Sequence, residues 1–386
     1  MAVEVHFIGR FGNNLFQYAL GRIVAEKLGY ELVCQKPPIS YKERFENLSS
    51  GNYAVFSDFA DHFPHAPLHI SGKKIHSPQE RYVLGESTWR GHGIPLQAIL
   101  NNTNERRIVL RGYFQRMQYL EPYRDQVRKW FRPANSPYNI RKWFSQINSP
   151  ASQKPSPEDV VLSIRRGYDY FNFGWVLSPH YYVDILEKIK PPRVYVCGVG
   201  IDDTIRSVLA AYNPVYYSGT PIEEFRFLSG FNRIILSNST FAWWAAWVSD
   251  ATEIFFPKCR SYWGEMYPDI ELEVNESRYH YIEDVEMEIW RPFQRNPEVS
   301  VTFTDNESEE VIIVNVEQIH KTYQLCFSAS CRSVLEWIIE RTEKFGWTDL
   351  LPYADRMKAK NELSRILLML ICTGCIEADE LYLNSL

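Results

Sequence analysis

Residues 160–170 read VVLSIRRGYDY, an apolar run rich in β-branched side chains that breaks off into two arginines, a glycine, a tyrosine and an acid. Such a run, bounded at once by polar residues and glycine, predicts a strand buried within an α/β sheet. In sheets of that kind ligands gather beyond the carboxyl ends of the strands. Arg165 and Arg166 are thereby delivered to a binding crevice. A guanidinium is planar, permanently charged and able to hold phosphoryl oxygens through two donors at once. The plainer alternative for the pair is a solvated loop with an arginine bridged to Asp169.

Working outward, the pattern after residue 160 alternates strictly. Strands are predicted at 160–164, 193–197, 215–217, 233–236 and 253–256, with helices at 179–190, 202–212, 221–230 and 240–250 between them, a parallel doubly wound sheet. At Ser237, Asn238, Ser239 and Thr240 a strand gives way to a helix, so hydroxyls and free backbone N–H groups converge on one point that suits a phosphate. Simple capping of the helix by Asn238 or Ser239 is the competing reading. Trp243, Trp244 and Trp247 follow, with Trp243 and Trp247 on one face, and read as core packing. Phe241 in the first turn can border a base or sugar.

Toward the N-terminus, 3–8 reads as a strand, 9–13 (GRFGN) as a turn and 14–28 as a helix, again bringing a helix N-terminus to a strand's end. No Gly-Lys-Ser/Thr follows, so this is not a phosphate loop of the Walker kind. Asn13 can equally be a turn residue or a cap. Residues 30–104 look irregular, and His62, His65, His69 and His76 match no zinc-ligand spacing. A strand at 108–113 and a helix at 115–131 come next. The segment 148–157 (NSPASQKPSP) reads as a hinge, giving domains at 1–150 and 151–265. A module at 285–386 follows, with a hairpin at 301–304 and 311–316 and helices at 330–344 and 354–370.

The 386 residues carry 42 Lys and Arg against 47 Asp and Glu, a formal charge of −5 that gives no footprint for nucleic acid. Seven cysteines fit free thiols in a reducing compartment better than a disulfide framework. Cys326, Cys331, Cys372 and Cys375 could ligate zinc, but buried thiols are the simpler reading. No run approaches the ~20 apolar residues that span a bilayer, and Glu4 interrupts any leader-like start. The expectation is a cytoplasmic protein, or one peripheral to a membrane.

Four stretches in order, 9–28 (GRFGNNLFQYALGRIVAEKL), 111–131 (RGYFQRMQYLEPYRDQVRKWF), 163–170 (SIRRGYDY) and 235–247 (ILSNSTFAWWAAW), resemble the α-1,2-fucosyltransferase family, glycosyltransferase family eleven. The resemblance covers residues 4–262. It implies a GT-B-like α/β fold of two Rossmann-like domains facing a cleft, here with a small C-terminal α+β extension. It also implies inverting, metal-independent transfer of L-fucose from GDP-β-L-fucose to a glycan acceptor. No cofactor is expected, and the chain has no convincing D-x-D pair for a metal. The residues and the resemblance together assign Arg165 and Asn13 to catalysis, with Asp169 either a general base or an ion-pair partner that orients Arg165 or Arg166, and Asn14, Gln17, Ser163, Arg166, Asn238, Ser239, Thr240 and Phe241 to substrate binding; the family offers no undisputed base. Three positions depart from the family pattern: Ser163 replaces a His, Asn14 replaces a Gln, and Tyr168 is inserted before Asp169. A transferase for another GDP-sugar, and a glycan- or nucleotide-binding protein without catalysis, stay open as alternatives. The extension would serve a protein partner or self-contact.

Overall fold

The computed structural model describes residues 1–35, 55–58, 60–70, 82–85, 95–101, 107–132, 155–167, 170, 174–259, 270–288, 293–305, 311–318, 321–346, 349–350, 366–367, 369–371 and 375–378. They fall into two compact units, 1–166 with 177–287, and 167–176 with 288–386.

The first unit opens with β1 (Ala2–His6), α1 (Phe11–Leu28), β2 (Glu31–Gln35), β3 (Tyr82–Gly85), α2 (Leu96–Leu100), β4 (Arg107–Arg111), α3 (Met117–Leu120) and α4 (Arg124–Phe131). The strands form a parallel sheet in the order β2-β1-β4-β3. Helix α1 begins three residues earlier than the glycines suggest, so Gly12 and Asn13 lie inside its first turn. The helix predicted over 115–131 is broken: a 3-10 turn at Glu121–Tyr123 separates α3 from α4, because Pro122 has no N–H to donate to the ladder. The stretch expected to be irregular supplies β2 and β3. Strand β2 owes its form to pairing with β1 and not to its own pattern, since only Cys34 among its five residues is buried.

The second sheet contains β5 (Val160–Arg165), β6 (Val194–Val199), β7 (Val215–Tyr216), β8 (Arg233–Ile235), β9 (Glu253–Pro257) and β10 (Tyr279–Ile282). Helices α5 (Pro179–Ile189), α6 (Asp203–Leu209), α7 (Pro221–Ser229) and α8 (Thr240–Val248) lie between them in the chain. All neighbours are parallel, in the order β10-β9-β8-β5-β6-β7. The first three strands build outward from β5 and the last three build outward on its other side. The order therefore reverses between β5 and β8, the point at which such sheets open a ligand crevice.

The two sheets share one hydrophobic core. Phe16 packs on Trp243 and Trp244 at 5.1 and 4.7 Å between ring centroids, and Phe11 meets Phe225 and Phe241 at 5.6 and 5.8 Å. Trp243, Trp244 and Trp247 are wholly buried, as their helical spacing suggests. Most of the hinge segment lies outside the described residues.

The second unit has an antiparallel sheet of β12 (Ser300–Asp305), β13 (Val311–Gln318) and β14 (Lys321–Ser328), followed by α9 (Arg332–Glu340). Short strands β11 (Phe293–Arg295) and β15 (Ile376–Ala378) pair with each other. The hairpin expected here is present, and β14 extends it to a third strand. Its own core joins Val314, Val316, Leu325 and Phe327 to Val334, Leu335 and Ile338 of α9. The extension is thus α+β, while most of the helix read at 354–370 lies outside the described residues. Cys331 and Cys375 are buried and Cys326 is exposed; Cys372 lies outside the described residues. Among the described residues no three His, Cys, Asp or Glu side chains gather as metal ligands, and no helix is long and apolar enough to cross a membrane.

Candidate active site

The site is built where α1 meets α8. Ser239 is the N-cap residue of α8 and Arg10 that of α1, and neither helix has a side-chain cap or an acid in its first turn. Capping by Asn13, Asn238 or Ser239 is therefore not what these residues do. Two uncapped helix starts leave their first amide donors and positive dipole ends to whatever lies before them, which favours an anion.

What allows this convergence is Gly12. A Cβ on it would lie 2.6 Å from the Phe241 nitrogen and 2.8 Å from both the carbonyl carbon and Oγ1 of Thr240. Only the missing side chain lets the first turn of α1 touch the first turn of α8. Asn13 then stitches the two together: its Oδ1 accepts from Thr240 Oγ1 at 3.0 Å and from Gln115 Nε2 at 2.8 Å. Its Nδ2 makes no hydrogen bond to a described residue and remains a donor for a ligand. Gly9, with φ of +71°, stands where a Cβ would lie 2.4 Å from that Nδ2.

Arg165 ends β5 and the turn 236–239 follows β8, so they flank the reversal in strand order from its two sides. Arg165 is half-buried; Ser239 and Thr240 are nearly buried and Asn238 is fully so. Phe241 is half-buried against Phe11 and Phe225. Asp169 lies outside the described residues.

The structure gives four of the sequence-assigned residues work inside the protein. Gln17 Oε1 accepts from Ile8 N at 3.1 Å while its Nε2 donates to Ile8 O at 3.1 Å and Gly112 O at 2.8 Å. Asn14 donates to Ile8 O at 3.0 Å and accepts from Phe56 N at 3.2 Å. Both are fully buried, so these amides hold the strand–helix turn together where the resemblance implies a ligand contact. Arg166 is buried and donates through Nε and Nη2 to Asp202 Oδ2 at 3.1 and 3.0 Å; Asp202 Oδ1 in turn caps α6 by accepting from Ile205 N at 3.0 Å. That pairing fixes Arg166 in the wall of the crevice. Ser163 is buried, with its hydroxyl 3.4 Å from that of Ser237, tying β5 to the turn after β8.

Four residues outside the sequence-assigned set take part in this architecture. Gln115 orients Asn13. Arg278 donates to the carbonyls of Trp247, Ser249 and Ala251, and Arg128 to that of Ser249, so two cations close the C-terminal end of α8, the helix whose N-terminal end forms the site. Glu224, half-buried on α7 near Tyr217 and Cys197, is pushed up to about 7 by burial, with a Gly219 backbone hydrogen bond working the other way. Gln115 and Arg128 stand in the 111–131 motif, which does not reveal their roles; the others carry no local motif, and each depends on partners 20 or more residues away or on burial.

Residues 87–260 match the family described as Glycosyl transferase family 11. This segment belongs to that family. The glycosyltransferase segment covers the whole core of the second sheet from β5 to β9, together with β4 and the loop that carries Gln115. The glycosyltransferase assignment is carried by this segment. Among solved structures, it is similar to the fucosyltransferase NodZ from Bradyrhizobium at 14% identity and a TM-score of 0.39, covering 66% of this chain and 94% of that one. It is also similar to Arabidopsis thaliana FUT1 in complex with GDP (9% identity, 67% of this chain and 71% of that one, TM-score 0.38). A third is an E. coli ADP-heptose LPS heptosyltransferase II (10%, 73% and 90%, 0.38). No curated protein matches the chain in sequence.

Proposed function

We propose that this protein transfers L-fucose from GDP-β-L-fucose to a hydroxyl of a glycan acceptor, with inversion and without a metal, forming an α-1,2 linkage on a galactoside. The observation that carries this reading is the meeting of two uncapped helix N-termini, bonded through Asn13 and Thr240, beside the strand-order reversal that Arg165 borders. Breaking the bond between the anomeric carbon and the diphosphate places negative charge on the leaving pyrophosphate. A dry set of preoriented amide donors and a guanidinium stabilises that charge more in the transition state than in the ground state. Asn13 Nδ2 is the donor best placed to follow the departing oxygen, because its Oδ1 is fixed by two hydrogen bonds. Asp169 is the proposed partner in deprotonating the acceptor hydroxyl. We place the reaction in the cytosol, in keeping with the free thiols.

The test is release of GDP from GDP-fucose, and in parallel from GDP-mannose, with EDTA present and with or without a lactose-type acceptor. Acceptor-dependent release from GDP-fucose alone is the expected result. Release from GDP-mannose alone would assign another donor, and GDP binding without release from either would leave a binding protein.

A further inference from the structure

The face of the first sheet turned away from α1 carries an arrangement that the donor site does not use. Helix α1 covers the Val5 face of β1, since Gly21 abuts the Val5 side chain; Glu4 and His6 alternate to the other face. There Glu4, 1% exposed, accepts from Arg107 Nε at 2.7 Å, from Gln35, and from His6 Nε2 at 2.6 Å. His6 Nδ1 accepts from Arg111 Nε at 3.2 Å. Burial pushes the His6 imidazole below its ordinary range, with Glu4 opposing and Arg111 and Arg107 assisting that shift. A neutral ring with its proton on Nε2 satisfies both contacts, and in that state the chain Arg107, Glu4, His6, Arg111 holds two positive charges against one negative.

The uncompensated charge is on Arg111. That residue is exposed, and among the described residues its hydrogen-bond partner is His6, through Nε, with no described partner on either Nη group. His6 and Arg111 lie opposite each other as the last residues of the two central strands, β1 and β4. The chain leaving β4 runs directly into Gly112, which binds Gln17, and Gln115, which binds Asn13. Carboxyl ends of parallel strands are where such sheets bind ligands. An exposed arginine is ordinarily floppy; one held at Nε by a buried relay presents a fixed pair of donors.

We propose that Arg111 is a binding residue for an anionic group, carboxylate or sulfate, on the acceptor saccharide, with His6 and Glu4 as the positioning residues that aim it. The proposal rests on the glycosyltransferase reading only in taking the first sheet as the acceptor side.

The experiment measures binding by calorimetry on the full chain with GDP present, using three probes: N-acetyllactosamine, a glucuronic acid-terminated disaccharide and a sulfated N-acetyllactosamine. At least one charged probe should bind about tenfold or more tightly than the neutral one, and the preference should shrink with added salt. Preference for the carboxylate or for the sulfate identifies the source of the charge. Arg111→Ala should erase the preference while leaving GDP affinity unchanged. His6→Leu should reduce it, and His6→Asn, whose side-chain oxygen can take the place of Nδ1 as acceptor, should restore part of it. Equal affinity for charged and neutral probes in the unaltered protein, failure of both charged probes to bind, or a preference that survives Arg111→Ala would overturn the proposal. Failure to bind GDP would count against the donor reading instead, and the glycan comparison would still decide this one.

Discussion

Replacing Gly12 by alanine tests the geometry on which the site depends, because two opposing effects of similar size can be weighed. In a helix, alanine is favoured over glycine by up to about 1 kcal/mol. Against that, the new Cβ would sit 2.6 Å from the backbone nitrogen of Phe241, where ordinary contact begins near 3.4 Å, a shortfall of 3.4 − 2.6 = 0.8 Å. The obstructing atoms are backbone, so no rotamer relieves the clash, and α1 and α8 must separate. Overpacking of this kind costs about 1–3 kcal/mol. The Thr240–Asn13 hydrogen bond, 3.0 Å long, would stretch as well, at a cost of about 1 kcal/mol. The net expectation is a loss of about 1–3 kcal/mol in denaturant unfolding followed by tryptophan fluorescence, with weaker GDP binding. Trp243, Trp244 and Trp247 sit in the affected helix. An alanine variant that is as stable as the parent and binds GDP equally well would show that the close approach of the two helix starts is not what holds the site.

Three further outcomes are expected. Arg165→Ala should lower the transfer rate roughly a hundredfold, about 3 kcal/mol of transition-state stabilisation, with a smaller effect on KM; a near-normal kcat would remove Arg165 from the clamp. Asp202→Ala should destabilise the protein by about 3 kcal/mol in thermal or denaturant unfolding, since buried Arg166 loses its carboxylate and α6 loses its cap, and Asp202→Asn should be milder. For Glu224 the folded-state pKa of about 7 lies above the ordinary 4.5, so between those values the folded chain keeps a proton that the unfolded chain releases. Stability contributed by this group therefore falls as pH rises from about 4.5 to about 7, by an amount on the order of 3 kcal/mol. Glu224→Gln should unfold at higher denaturant than the parent at pH 8 and match it below pH 4.5.

The second sheet was legible in the sequence because its signals are local. Runs such as VVLSI and the regular return of strand and helix reflect burial on both faces of a parallel strand, and the order of the motifs located Arg165 and residues 237–240 at its mouth. The same locality explains the failures. Strand β2 has no pattern of its own and exists through its pairing with β1. Pro122 announces a break in the helix, yet the apolar spacing on either side of it reads as continuous.

What the sequence determined alone was therefore the chemistry on offer: arginines, hydroxyls and helix starts placed after strands, because strand and helix periodicities are written in neighbouring residues. The tertiary structure decided which of those groups remain free. Asn14, Gln17 and Arg166 look like ligand contacts in the motif, but burial leaves their polar atoms no water, so they must bond to Ile8, Gly112, Phe56 and Asp202. Asn13, one residue from Asn14, keeps a free donor because its oxygen reaches across to Thr240, 227 positions away in the chain. Sequence sets what each side chain can do; only packing brings together partners so far apart and determines which capacity is left for a substrate.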